Sequence, residues 1–194
     1  MKTIFFDIDS QLDFLYPAGA LYVPGAERIV PAIERLNRHA AMYDIPVVAT
    51  TDAHPEDDPE FQVWPPHCVA GTIGQHKAEA TLLDKRLVVP NRDGEFAIEG
   101  VQQIIVEKQH LDVFTAPKLA HVIERLNADA FVVYGVVTEI CVLFAARGLL
   151  KHGKPVTIVT DAIASLSAEA ADLALVEIRA AGGRLALTSE ITRL

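Results

Sequence analysis

Apolar residues along this chain fall into two alternating rhythms. Short runs at 3–8, 46–51, 103–106, 131–134, 156–159 and 185–187 are rich in Val, Ile and Phe, without strict polar alternation. Runs of that kind read as strands buried on both faces, as in a parallel sheet. Between them the apolar positions shift to helical spacing, first at Ile29, Ile33, Leu36 and Ala40, then at Leu119, Val122, Ile123 and Leu126. A last helix is predicted from an N-cap at Ser167 to a stop before Gly182-Gly183. Strands alternating with helices predict an α/β sandwich on a mostly parallel sheet. The stretch 53–100 breaks the rhythm with Pro55, Pro59, Pro65, Pro66 and Pro90. It reads as loops, with a small hairpin around 87–98. A connection of this length in a compact domain usually carries function.

In open parallel sheets, ligands bind beyond the carboxyl ends of the strands. Asp9 follows the first run, Asp52 and His54 the second, Lys108 the third, and Thr138 to Cys141 the fourth. Four strands thus deliver titratable or nucleophilic groups to one edge.

Cys141 falls where a buried strand passes into a helical pattern continued by Phe144, Ala145, Gly148 and Leu149. In the first turn of a helix, free N–H groups and the positive dipole end favour a thiolate. The same N–H groups could hold an oxyanion. A small buried hydrophobe is the alternative for Cys141. Attack on an amide needs a base for the thiol proton and an acid for the leaving amine, and Asp9 could be both. Lys108 nearby would keep that carboxylate ionised and stabilise the sulfur. Otherwise Lys108 is a solvated charge paired with Glu107 or Asp112, and Asp9 a turn former.

Asp52-Ala53-His54 puts a carboxylate and an imidazole on the same side of an extended chain. His67 follows on the proline-stiffened Trp64-Pro65-Pro66-His67 segment. Two histidines and a carboxylate suit one divalent ion (zinc first, iron or manganese next) with open positions for water or substrate. Glu60 and the Asp57-Asp58 pair could add an oxygen; Asp-x-His by itself is a weak signal and more often a turn. The remaining histidines, His39, His76, His110, His121 and His152, read as solvated. Trp64, the only tryptophan, could stack on a flat ring or simply anchor its loop. Phe14 is placed to wall a pocket.

Composition narrows the function. The length of 194 residues predicts one domain, 1–194. A net charge of −9 disfavours nucleic acid and anionic membranes as partners. No apolar run reaches the roughly 18 residues of a membrane span. Cys68 and Cys141 are too few for a disulfide framework, and Met1 to Asp7 hold no signal-peptide core, so a reducing cytoplasm is expected.

These residues also resemble a known family. Asp9-Ser10-Gln11-Leu12-Asp13-Phe14 is similar to the D-x-Q-x-D-F opening of the isochorismatase-like cysteine hydrolases, and the segment 20–26 to their next loop. Asp52-x-His54 with the segment 64–72 resembles the metal-binding stretch of the nicotinamidase/pyrazinamidase branch, and the segment 135–142 the nucleophile segment. The resemblance implies a three-layer α/β/α sandwich with a six-stranded sheet and a triad of Asp9, Lys108 and Cys141. It implies a cis peptide between Val136 and Val137, with the amides of Val137 and Cys141 as oxyanion hole. Asp52, His54 and His67 would ligate the metal, Glu60 matches an extra ligand of some members, and the ion would hold a pyridine nitrogen. The implied reaction is nicotinamide plus water to nicotinate plus ammonia, through a thioester on Cys141, in a homo-oligomer. Leu12, Val137 and Gln109 depart from the family pattern and bear on pocket shape. Two further readings follow: a related hydrolase of another small amide or ureido compound, and a catalytically silent binding or assembly relative.

Overall fold

The structure, a computed structural model, describes residues 2–193. Seven strands form one sheet: β1 (Thr3–Ile8), β2 (Val47–Asp52), β3 (Arg86–Val89), β4 (Gln103–Lys108), β5 (Ala130–Val136), β6 (Val156–Ala164) and β7 (Arg184–Ala186). Their order is β3-β4-β2-β1-β5-β6-β7, and every pair is parallel. The helices are α1 (Leu12–Leu15), α2 (Val30–Met42), α3 (Pro117–Leu126), α4 (Leu143–Lys151), α5 (Ala168–Ala180) and α6 (Thr188–Ile191).

The sheet therefore has seven strands rather than the expected six. The added strand, β3, lies where a hairpin was expected, and it pairs parallel to β4 from Arg86 opposite Gln103 to Val89 opposite Val106. Four residues at a sheet edge, with Arg86 and Val88 exposed, leave too weak an apolar pattern to stand out. The other strands begin within a residue of the apolar runs, while β6 continues to Ala164, five residues beyond its expected end. Ser167 caps α5 by accepting the Ala170 amide at 3.3 Å, and Gly182 beyond its end takes a left-handed φ of 94°.

Alternation along β1 shows how the layers form. Ile4, Phe6 and Ile8 join one core with Leu119 and Val122 of α3, Ala146 and Leu149 of α4, and Ile178 of α5. Phe5 turns to the opposite core, with Ile33, Leu36 and Ala40 of α2. Each fully buried Leu, Ile or Phe is worth about 1.5–3 kcal/mol, so two such cores hold the strand ends rigid.

The α2 side carries a polar inclusion. Asp7 is fully buried and receives Ser10 Oγ at 2.7 Å, Lys77 Nζ at 2.9 Å and Asn37 Nδ2 at 3.0 Å. Lys77 also donates to Ser10, and Tyr134 to Asn37 Oδ1 at 2.5 Å. These partners tie the chain after β1 to the loop around residue 77.

Candidate active site

Chain connections run outward in opposite directions from β1 and β5, so the crevice beyond their carboxyl ends is where ligands bind in such sheets. Asp9 takes a left-handed φ of 47°, its amide bound to Thr50 O at 3.2 Å and its Oδ1 accepting Thr50 Oγ1 at 2.7 Å. On β5, Gly135 has φ 116°, and a Cβ there would sit 2.0 Å from the Ile8 carbonyl oxygen. Only glycine lets β5 approach β1 this closely. The Val136–Val137 peptide that follows is cis, as the resemblance implies. A π-helical turn, Thr138–Val142, then carries Cys141 into α4. The amides of Ile140 and Val142 both bond to the Val137 carbonyl, each at 3.1 Å; neither bond uses the Cys141 amide.

Asp9, Lys108 and Cys141 meet. Lys108 Nζ lies 2.9 Å from Asp9 Oδ2 and 3.8 Å from Cys141 Sγ, and all three residues are buried. The contact with Asp9 Oδ2 is an ion pair off the hydrogen-bond direction, so this buried oxygen has no hydrogen-bond partner among the described residues. It is the acceptor a thiol proton needs. Lys108 pairs with neither Glu107 nor Asp112. Instead it also donates to Asp52, its register neighbour on β2. One ammonium therefore serves two carboxylates from two strands.

The electrostatics differ from the sequence expectation at the sulfur. Burial pushes the Cys141 thiol well above its usual range; Lys108 pulls the other way, and Asp9 and Asp52 add to the rise. Desolvation is the largest influence, and with the two anions it favours the thiol over the thiolate. Burial likewise raises the Asp9 carboxyl, with Lys108 in opposition and Asp52 reinforcing. Burial alone would lower the Lys108 ammonium, yet Asp52 and Asp9 hold it well above its ordinary value. A protonated thiol beside an unsatisfied carboxylate oxygen suits transfer of the proton at the moment of attack.

Asp52, His54 and His67, all buried, each offer a ligand atom within 4.8 Å of the others. His54 Nδ1–H donates to Asp58 Oδ2 at 3.0 Å and His67 Nδ1–H to Pro65 O at 2.8 Å. Both rings are thereby turned with Nε2 toward the cluster, and His54 Nε2 is a buried atom without a hydrogen-bond partner among the described residues. Two oriented imidazoles, a carboxylate and an orphaned nitrogen are the donor set a divalent ion takes. Glu60 stands just outside, its Oε1 3.9 Å from His67 Nε2. Asp58, expected to offer an oxygen, sits behind His54 and orients it.

A small, partly open pocket with a cavity volume of about 30 Å³ joins the two groups, well below the roughly 300–1,000 Å³ usual for ligand pockets. Phe14, Trp64, Val136 and Val137 line it, together with Asp9, Asp52, Glu60, His67 and Cys141. Leu21, Leu111, Ile140 and Leu166 complete the wall, unforeseen from sequence because apolar loop residues carry no local mark. Also unforeseen were Gln11 and Phe61. Gln11 receives the Asp52 amide at 2.7 Å and donates to the Asp52 carbonyl at 2.9 Å; its D-x-Q spacing was the available signal. Phe61 packs edge-on against His54 and His67, with ring centres 5.4 and 5.7 Å away. Of the five other histidines, His76, His110, His121 and His152 are exposed, while His39 is half-buried between Phe5 and Tyr43.

Comparison with known proteins places these features in context. The chain is similar to the nicotinamidase/pyrazinamidase of Mycobacterium tuberculosis, 28% identical over 193 residues, covering 94% of this chain and 97% of that protein. It is 25% identical to the nicotinamidase of Acinetobacter baylyi over 175 residues, covering 80% of this chain and 78% of that one. The crystal structure of the Pyrococcus horikoshii pyrazinamidase in complex with zinc superposes with a TM-score of 0.82 at 27% identity, covering 96% of this chain and 99% of that one. The family model described as the isochorismatase domain matches residues 3–190. The chain belongs to the isochorismatase-domain family.

Proposed function

We propose that this protein is a metal-assisted cysteine amidohydrolase of small aromatic amides, converting nicotinamide and water to nicotinate and ammonia. The observation that carries the reading is the meeting of Asp9, Lys108 and Cys141 at one pocket with the Asp52, His54 and His67 cluster. The names of the similar proteins support it.

The residues divide the work as follows. Asp9 Oδ2 takes the Cys141 proton as the sulfur attacks the amide carbon. The amides of Val137 and Cys141 receive the oxyanion, and Asp9 returns the proton to the departing ammonia, leaving an acyl thioester. Asp9 then takes a proton from water as it attacks the thioester, and returns it to the sulfur as the acid leaves. Lys108 keeps Asp9 anionic between these transfers. A divalent ion on Asp52, His54 and His67, zinc before iron or manganese and with Glu60 at its edge, would supply a Lewis acid for the ring nitrogen. Phe14 and Trp64 would hold the ring between them. Among the described residues none that lines the pocket is a lysine or arginine, which gives an acid-bearing ureido compound no cation to pair with in that wall.

The direct test incubates purified protein with nicotinamide and measures ammonia, beside Cys141→Ala and a metal-stripped sample. Turnover should vanish in the alanine variant, and the stripped enzyme should chiefly lose substrate affinity. Metal-loaded wild type that releases no ammonia would overturn the substrate. Light scattering checks the homo-oligomer that the reading also carries, and cell fractionation the cytoplasmic location.

A further inference from the structure

The turn that carries Cys141 also holds a second segment of chain, for which the chemistry above has no use. Thr138 Oγ1 donates to the Ala164 carbonyl at 2.9 Å. The next residue, Glu139, accepts the amides of Leu166 and Ser167 on a single oxygen, Oε1, both at 2.9 Å. Its Oε2 is buried and has no hydrogen-bond partner among the described residues, so the bonds this carboxylate makes are to two backbone amides. What those bonds position is the Leu166 side chain, which lines the pocket although the residue is 37% exposed. An apolar side chain that is both pocket wall and solvent-facing belongs to the mouth.

We propose that Leu166 determines specificity by closing this mouth against ring substituents, with Thr138 and Glu139 holding it in register with the nucleophile. The inference rests on the amidohydrolase reading and deepens it: the substrate class becomes the unsubstituted six-membered aromatic amide. Leu166, at the mouth, limits how far a ring can extend out of the pocket. Glu139 is a positioning residue, acting through Leu166 without touching substrate.

Binding can be read without turnover, because Trp64 is the only tryptophan and lines the pocket. The experiment titrates the fluorescence of metal-loaded protein with nicotinamide and with its 2-, 4-, 5- and 6-methyl derivatives. Every sample carries Cys141→Ala so that nothing is hydrolysed, and wild type here means no further change. For wild type, at least one methyl position should bind far more weakly than the parent. In Leu166→Ala the ratio of the two Kd values at that position should fall at least about tenfold, since one methyl group in an apolar pocket is worth roughly 10–200-fold. Leu166→Phe should raise the ratio; opposite shifts from the two variants cannot come from misfolding. Glu139→Ala should lower the ratio at the same ring position, and Glu139→Gln, which keeps an acceptor oxygen, should restore it. Unchanged ratios in both Leu166 variants, with nicotinamide still bound, overturn this inference and leave the amidohydrolase reading standing. A wild type whose fluorescence answers to no pyridinecarboxamide overturns both.

Discussion

At the scale of single residues, the site works by setting buried charges against one another. Burial raises the Cys141 thiol against the pull of Lys108, and Asp9 and Asp52, which both face that ammonium, add to the rise, so the protonated form is favoured. A raised thiol pKa means that the reactive thiolate grows with pH instead of saturating near neutrality. Iodoacetamide should therefore label Cys141 of the metal-stripped protein ever faster from pH 6 upward, tracked by peptide mass spectrometry. A plateau below pH 8 would show that the helix end and Lys108 prevail over burial. Asp58 offers a second measurable effect. It holds the His54 ring by Nδ1, and losing such a partner typically weakens metal binding 10–100-fold. Asp58→Ala should show that loss in a competition titration with a chelator while His67→Ala loses more. Equal zinc affinity in Asp58→Ala and wild type would mean that the ring is held by packing against Phe61 instead.

Elements bring these residues together by obeying simple steric rules. Asp9 can turn back toward the sulfur because it leaves β1 in a left-handed conformation, a geometry Asp tolerates better than most residues. Glycine at 135 admits β5 alongside. Behind them, Asp7 and Lys77 form an ion pair excluded from solvent, with every partner satisfied. Lys77→Met would leave the Asp7 charge buried and uncompensated, which costs about 3–5 kcal/mol. Urea denaturation should show a midpoint lowered accordingly. A loss below about 1 kcal/mol would mean that Ser10 and Asn37 alone stabilise the Asp7 charge. Neither half of this pair was singled out from sequence: Asp7 sits in an apolar run and Lys77 in a proline-rich loop, and nothing local joins them.

Over the whole molecule, the sheet edge acts as an assembly line of ligands, and the ion should hold the loops to it. His54 and Asp52 close β2, whereas His67 comes from the long loop after it. A ligand bound only by the folded state raises stability, by about 2.7 kcal/mol when its concentration is 100 times Kd. Zinc added to stripped protein should thus raise Tm by several degrees, and His67→Ala should abolish the shift. No helix among the described residues is long and apolar enough to cross a membrane, in line with the composition.

Much of this protein was determined by its sequence alone. Apolar runs buried on both faces dictate a parallel sheet whatever their neighbours, and the ends of such strands collect chemistry. Asp9, Asp52, His54, Lys108 and Cys141 were accordingly legible as candidates, each from its place after a strand. The motif around Trp64 to His67 added the third candidate ligand. What only the tertiary structure decided are the relations between segments distant in sequence. That Lys108 bridges Asp9 to Asp52, that Glu139 reaches Leu166, and that β3 joins the edge of the sheet all depend on strand order and register. The protonation of the thiol is decided there too, since a pKa sums burial and charge contributed by four strands, and no stretch of chain carries that sum locally.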